Sequence, residues 1–225
     1  MSDEHFYEMK SGHGLSHDPF KAIVAPRPIG WISTRSADGH VNLAPYSFFN
    51  ALGENPHIVG FSSTGYKDSV TNVEQTKEFV FNLATRELAE KMNITSYAAP
   101  YGINEMQLAG LEAVPSRLVN VPRVRDSPAN FECRLISITH LHDIDGKPTK
   151  NYLVLGQVVG VHIQRKFITS EGLFDTAAAN PIARCGYLGD YAEVTHLFQM
   201  RRPADDNVEL REAVQQLTEE DTNKT

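Results

Sequence analysis

Residues 131–142 read FECRLISITHLH and residues 152–163 read YLVLGQVVGVHI, with a short polar segment between the two runs. Both runs are rich in β-branched and aromatic residues, which favour extended strands. The Asp145-Gly146 pair between them is typical of a tight turn that reverses the chain. The pattern predicts two long antiparallel strands that pair as a hairpin.

Shorter strand patterns precede this hairpin. Residues 20–35 predict an extended stretch that is broken by Pro26 and Pro28, because each proline removes a backbone donor. A turn at 37–40 then leads the chain into 41–44, so this region predicts a second hairpin.

Further strands are predicted at 57–62 and 79–83. A helix is predicted between these two strands with Asp68 or Ser69 as its N-cap, and a second short helix at 86–92. Many strands, few helices and no βαβ alternation predict a mainly β, α+β fold. We expect an antiparallel barrel that is closed or partly closed.

Composition and charge exclude several classes of protein. The 225 residues, 41% of them hydrophobic, predict one globular domain over residues 1–203 and a polar, acid-rich tail at 204–225. A formal charge of −7 disfavours nucleic acid as a partner, and no window approaches the roughly 18 apolar residues of a membrane span. No GxGxxG, GxxxxGK[ST], GxSxG or HExxH motif occurs, which removes local support for Rossmann, P-loop, α/β-hydrolase and zincin enzymes.

The N-terminus and the metal-ligating residue types are also informative. Residues 1–5 are polar and acidic, unlike a secretory signal, which predicts a cytoplasmic protein. Cys133 and Cys185 form no close pair, so neither a disulfide framework nor a structural zinc site is expected. His140 and His142 share one strand face, and we interpret them as a polar face because two ligands do not complete a metal site.

A hydroxyl-rich segment, SSTGYKDS at residues 62–69, precedes the first predicted helix. Ser62, Ser63 and Ser69 can donate hydrogen bonds, Lys67 supplies a positive charge, and a helix N-terminus presents unpaired N–H groups. These groups together favour a phosphate-binding site. The alternative interpretation is a polar loop with a solvated lysine.

A second segment, NLAPYSFFN at residues 42–50, mixes small, polar and aromatic residues. Such a mixture suits a planar heteroaromatic ligand, because the small Ala44 allows the backbone to approach a ring closely. Packing of Phe48 and Phe49 into the core is the alternative. Trp31, the only tryptophan, either flanks a ligand or anchors the core, and the sequence leaves both open.

Several segments together resemble a known family in their order and spacing. The segments are 27–34, 42–50, 67–72, 78–83, 128–133 and 156–161. They are similar to the flavin reductase-like, FMN-binding split-barrel family, and the resemblance spans roughly residues 20–203. Ser69 stands where family members often have threonine, which keeps the hydroxyl.

The resemblance implies an antiparallel Greek-key split barrel that forms a homodimer and binds FMN near the subunit interface. It implies that Lys67, the neighbouring hydroxyls and the helix start hold the phosphate, and that the backbone of residues 44–47 addresses the ring. With Trp31 included, the implied cofactor contacts are Trp31, Ser33, Thr34, Ala44, Pro45, Tyr46, Ser47, Ser62, Ser63, Lys67 and Ser69. The family supplies no single acid–base residue, so no catalytic residue is predicted.

The implied activity is an oxidoreductase in which NADH or NADPH reduces the flavin. Reduced flavin would then reach a separate monooxygenase by diffusion. The alternative is an FMN-binding electron carrier or a flavin-binding protein without reductase turnover. A barrel that binds another ligand is the third possibility, since one fold hosts many functions.

Overall fold

The computed structural model describes residues 3–200, 202–203, 207–208 and 210–215. The chain divides into two compact units, one that ends at Thr195 and one that begins at His196. In the second unit, residues 210–215 are helical and their side chains are exposed. Most of the tail predicted at 204–225 lies outside the described residues. Among the residues that are described, no helix has both the length and the apolar character needed to cross a bilayer.

Strands dominate the first unit. In the described chain they are β1 Arg27–Pro28, β2 Gly30–Arg35, β3 Val41–Tyr46, β4 Phe49–Glu54, β5 His57–Thr64, β6 Glu78–Leu83, β7 Ala113–Val114, β8 Arg123–Val124, β9 Ala129–His142, β10 Pro148–Ile163, β11 Ile182–Arg184 and β12 Tyr191–Glu193. The helices are α1 Phe20–Ile23, α2 Asp68–Thr76, α3 Ala89–Ile94, α4 Glu105–Leu108 and α5 Thr176–Ala179. The predicted mainly β class with a few short helices is confirmed.

Seven strands form one antiparallel sheet in the order β3-β2-β6-β9-β10-β5-β4. Side chains from six of these strands meet in one apolar cluster, which includes Ile32, Phe61, Phe79 and Val154. The hydrogen-bonded order ends at β3 on one side and at β4 on the other, so the sheet encloses its core as a split barrel. The predicted long hairpin is β9 and β10, where Tyr152 lies opposite His140.

The barrel wall is buried on both faces at β2. Ile32 points into the barrel interior, whereas Trp31 belongs to a second apolar cluster with Leu43 and Met92. Neighbouring residues point to opposite faces of a strand, which explains this division. Met92 of α3 and Met106 of α4 belong to the second cluster, so these two short helices pack outside the barrel wall.

Three predicted boundaries are wrong. The stretch 20–35 is not wholly extended, because the Asp18 carboxylate accepts the N–H of Phe20 at 2.9 Å and helix α1 begins there. Lys67, rather than Asp68 or Ser69, is the N-cap of α2, and the Ser69 hydroxyl instead accepts a hydrogen bond from the Asn42 amide. The helix predicted at 86–92 begins at Ala89.

A buried guanidinium ties the start of the barrel to a strand far along the chain. Arg27 is 6% exposed and donates to the backbone carbonyls of Lys21, Val24 and Cys185. The contacts to Val24 and Cys185 measure 2.6 and 2.7 Å. Hydrogen bonds to carbonyl oxygens compensate the burial of this charge in place of a carboxylate.

Candidate functional site

Five of the predicted site residues line one cavity of about 300 Å³ on the surface of the barrel: Ala44, Pro45, Tyr46, Lys67 and Ser69. The first three come from β3, and the other two lie at the start of α2. The structure therefore brings together the two segments that the sequence marked separately, one for a ring and one for a phosphate.

The remaining walls of the cavity come from residues that the sequence analysis missed. They are Asn42, Asp68, Glu105 and the segment 95–99. Asn42 and Asp68 lie inside the two segments that the sequence marked, 42–50 and 62–69, so the sequence already indicated that they lie near a ligand site. Glu105 begins the one-turn helix α4, residues 95–99 follow α3, and no local pattern in either segment indicates a ligand.

A layer of polar side chains supports the cavity from below. The Asn42 amide donates to the Ser69 hydroxyl at 2.9 Å, and the Asn72 amide donates to the Thr34 hydroxyl at 3.0 Å. Thr34 is fully buried and is not among the residues that line the cavity. Thr34 therefore does not line the cavity itself, and its hydroxyl contacts α2 through the hydrogen bond from Asn72.

Three further predicted cofactor contacts, Ser33, Ser63 and Trp31, are buried and form hydrogen bonds within the protein. The Ser33 hydroxyl donates to the carbonyl of Pro122 at 2.7 Å, and the Ser63 hydroxyl donates to that of Gly65 at 2.9 Å. The Trp31 side chain has no exposed surface, and its indole N–H donates to the Thr95 hydroxyl at 2.9 Å. Of the two interpretations of Trp31, the structure supports the core anchor.

Ser62 and Ser47, two more of the predicted cofactor contacts, lie outside the lining of the 300 Å³ cavity. Ser62 is half-buried, is not part of the cavity lining, and donates its backbone N–H to the carbonyl of Phe48 at 2.8 Å. Ser47 lines a neighbouring cavity of about 720 Å³. The two cavities share Pro45 and Ser96, so they adjoin at the end of β3.

Tyr46 carries a buried hydroxyl at the base of the cavity. It makes no hydrogen bond of normal geometry to a described residue, and the hydroxyls of Ser69 and Ser63 are its polar neighbours. Burial raises the pKa of Tyr46 above its ordinary value, and these hydroxyls offset only part of that effect. The phenol therefore stays protonated and keeps a donor for a further acceptor.

Charged groups surround the mouth of the cavity. The Lys67 side chain is exposed and has no ion pair or hydrogen bond within the described part of the chain. The first backbone hydrogen bond of α2 runs from the N–H of Val70 to the carbonyl of Lys67, so the N–H groups of Asp68 and Ser69 have no intrahelical acceptor. Lys67 and these two N–H groups favour an anion at this end of the cavity, where the Asp68 side chain also lines the wall.

Glu105 adds a second carboxyl group to the cavity lining. It is 6% exposed and accepts the backbone N–H of Leu43 at 3.0 Å. Burial raises the pKa of Glu105 above its ordinary value, with a smaller raising contribution from the nearby Asp68 carboxylate, and hydrogen bonds from the backbone N–H groups of Leu43 and of Glu105 itself offset part of that rise. Within the described residues, no group of three His, Cys, Asp or Glu side chains is arranged to hold a metal ion.

The flavin reductase like domain family matches residues 24–177, which is more than half of the 225 residues. The chain therefore belongs to this family. It is 32% identical to an uncharacterised protein of Deinococcus radiodurans over 213 residues, which cover 90% of this chain and 91% of that relative.

Solved structures share the fold along most of the chain. Nitrilotriacetate monooxygenase component B from Bacillus cereus superposes with a TM-score of 0.77 at 25% identity, covering 88% of this chain and 100% of that chain. A Shewanella frigidimarina protein with a split barrel domain gives a TM-score of 0.73 at 22% identity, covering 82% and 90%. The resemblance and the split-barrel fold inferred from the sequence are confirmed.

Proposed function

We propose that this protein is an FMN-binding oxidoreductase in which NADH or NADPH reduces the flavin. The observation that carries the proposal is the cavity itself, because it joins the start of α2 to the open edge of β3. Membership of the flavin reductase-like family supports a flavin as the ligand. The buried donor of Tyr46 and the ammonium group of Lys67, which has no partner among the described residues, fit a group that is both polar and anionic.

The phosphate of FMN is assigned to the α2 end of the cavity. Lys67 supplies a charge there, the Ser69 hydroxyl donates a hydrogen bond, and the first N–H groups of the helix point toward the same place. Asn42 holds the Ser69 hydroxyl in position through its 2.9 Å hydrogen bond. Burial raises the pKa values of Glu105 and Tyr46, which favours their neutral forms, and Asp68 is the further acidic group in the lining.

The ring system is assigned to the β3 edge. β3 is the last strand on its side of the sheet, so the outward backbone groups of alternate residues have no strand partner. The N–H of Leu43 points away from the sheet and donates to Glu105. Pro45, two residues later, faces the same edge, and because proline has no N–H it leaves no unpaired donor there. Backbone oxygens along this edge can therefore accept hydrogen bonds from a flavin, while Ala44 leaves room for the ring.

When bound, FMN supplies reversible two-electron chemistry. We assign to the residues of the cavity the binding and orientation of FMN, and we assign no catalytic acid or base among them. This assignment is consistent with hydride transfer, which depends mainly on how the two rings are positioned.

We extend the proposal to the setting of the enzyme. The similar Bacillus cereus protein is a monooxygenase component, which supports a role in supplying reduced flavin to a separate monooxygenase. A homodimer and a cytoplasmic location, both expected from the sequence analysis, are part of the same proposal.

The test is the visible absorbance spectrum of protein loaded with FMN, recorded anaerobically before and after NADH or NADPH is added. We expect the flavin absorbance to bleach with at least one donor. A yellow protein that neither donor bleaches would instead be an electron carrier or a flavin store. A colourless protein without measurable FMN affinity would overturn the assignment.

The double variant Lys67→Ala, Ser69→Ala tests the phosphate end. Because the double variant removes two hydrogen bonds to a charged group, we expect its Kd for FMN to be about 100-fold higher, measured by flavin fluorescence. Lys147→Ala, an exposed lysine in the β9–β10 turn, is the matched control and should bind FMN like the parent. Unchanged affinity in the double variant would remove the phosphate from this end of the cavity.

A further inference from the structure

The 720 Å³ cavity beside the proposed flavin site carries a further inference. It meets the first cavity at Pro45 and Ser96, and its volume lies within the usual range of small-molecule sites. Met92 and Ile182 give part of its wall an apolar surface, while Arg86 and Arg184 bring two cations to it. A molecule that reaches the flavin ring at Pro45 can therefore extend into this space.

The two arginines differ in what they already bind. Arg184 donates to the carbonyls of Leu188 and Asp190 at 2.8 and 3.2 Å, and it stacks on the ring of Tyr191 with 4.6 Å to the centroid. These contacts hold the loop at the rim of the cavity. Arg184 therefore has a structural role and few donors to spare.

Arg86 makes no comparable side-chain hydrogen bonds or ring contacts to the described residues. Its backbone N–H donates to the carbonyl of Asn180 at 3.0 Å, which fixes where the side chain begins. The guanidinium itself is exposed and makes no hydrogen bond or ion pair with the described residues. Glu90 also lines the cavity, but it does not pair with Arg86. All the donors of the Arg86 guanidinium are thus available to a ligand.

We propose that Arg86 binds the diphosphate of the nicotinamide dinucleotide and so determines the affinity for the electron donor. The inference rests on the proposed function. A dinucleotide that places its nicotinamide beside Pro45 must direct its phosphates away from the flavin phosphate at Lys67, and the adjoining cavity lies in that direction. The planar, permanently charged fork of an arginine matches phosphate oxygens in pairs.

The test uses ADP-ribose, which contains the diphosphate but no nicotinamide and cannot reduce a flavin. Its binding is measured by calorimetry with FMN-loaded protein and with flavin-free protein. We expect Arg86→Gln to weaken ADP-ribose binding about tenfold, and Arg86→Lys to weaken it less because the charge remains. Arg165→Gln, an exposed arginine outside both cavity linings, is the matched control and should bind like the parent.

A second ligand separates this inference from the proposed function. FMN affinity should be weakened in Lys67→Ala and kept in Arg86→Gln, whereas ADP-ribose affinity should be kept in Lys67→Ala and weakened about tenfold in Arg86→Gln. Parent protein that does not bind ADP-ribose, or an Arg86→Gln variant that binds it as the parent does, would overturn the role of Arg86. Displacement of ADP-ribose by FMN would overturn that role as well. If ADP-ribose binds through Arg86 but NAD(P)H never bleaches the flavin, only the proposed function fails.

Discussion

Two buried glutamates stand in contrasting environments, Glu132 in the barrel wall and Glu105 beside the proposed flavin. The Glu132 carboxylate accepts the backbone N–H groups of Arg117, Leu118 and Val119 at 2.8, 2.6 and 3.1 Å, and it also contacts Nε2 of His162. Glu105 accepts the backbone N–H of Leu43 and its own backbone N–H. The number of donors around each carboxyl is therefore the main difference.

The two pKa values move in opposite directions as a result. Burial acts to raise both, but at Glu132 the hydrogen bonds of His162 and of the loop N–H groups outweigh burial and hold its pKa below the ordinary range. At Glu105 burial prevails and the pKa is raised. A buried carboxyl thus fixes a loop and has a lowered pKa when donors surround it, and has a raised pKa when burial outweighs its few donors.

The largest expected effect is on global stability. Glu132→Gln replaces an acceptor of several N–H groups by an amide that presents its own donors to them. We expect a loss of about 3 kcal/mol in the free energy of unfolding at pH 7, measured by urea denaturation. Glu112→Gln, on an exposed carboxylate paired with Arg125, should change it by less than about 0.5 kcal/mol. Equal effects in both variants would remove the contrast between buried and exposed carboxylates.

The pH dependence of stability should separate the two glutamates. Since the pKa of Glu132 is lower in the folded state, its contribution is present above the ordinary value of 4.5 and is lost as the pH falls through the folded pKa. Since the pKa of Glu105 is raised, its contribution is present below 4.5 and is lost as the pH rises through the folded pKa. The parent should therefore lose its advantage over Glu132→Gln in acid. The opposite trend would contradict the assigned protonation states.

The smallest effect is expected for Glu105→Gln. Its amide oxygen can still accept the N–H of Leu43, and the variant no longer has to bury an ionisable group. We expect stability within about 1 kcal/mol of the parent at pH 7, equal or higher, measured by the same denaturation. A loss comparable to that of Glu132→Gln would mean that Glu105 is held as a firmly ionised carboxylate.

Local patterns in the sequence predicted much of the fold. Alternation and β-branched residues marked β9 and β10, and the turn between them contains Gly146 with a φ of +78°, a backbone conformation that glycine adopts readily. The one-turn helix α1 was not predicted, because its four residues are too few to show a helical period and its N-cap, Pro19, carries no capping side chain.

The candidate site was predictable only in part. The two segments around Pro45 and Lys67 carry their chemistry in their own residues, and the structure places them on one cavity. Glu105 reaches Leu43 across 62 positions of sequence, and no local pattern encodes that contact. Whether Ser33 and Thr34 face a ligand or the interior depends on strand register and on their partners in α2 and the loop near Pro122.

The Arg27 contacts bear on where the folding domain can be cut. Lys21 and Cys185, two of the residues whose carbonyls it grips, both fall outside the family match at 24–177. A fragment trimmed to residues 24–177 would keep the Arg27 guanidinium but lose two of the three carbonyl oxygens that accept its hydrogen bonds. A fragment that keeps every hydrogen bond of Arg27 therefore extends beyond the matched family segment at both ends.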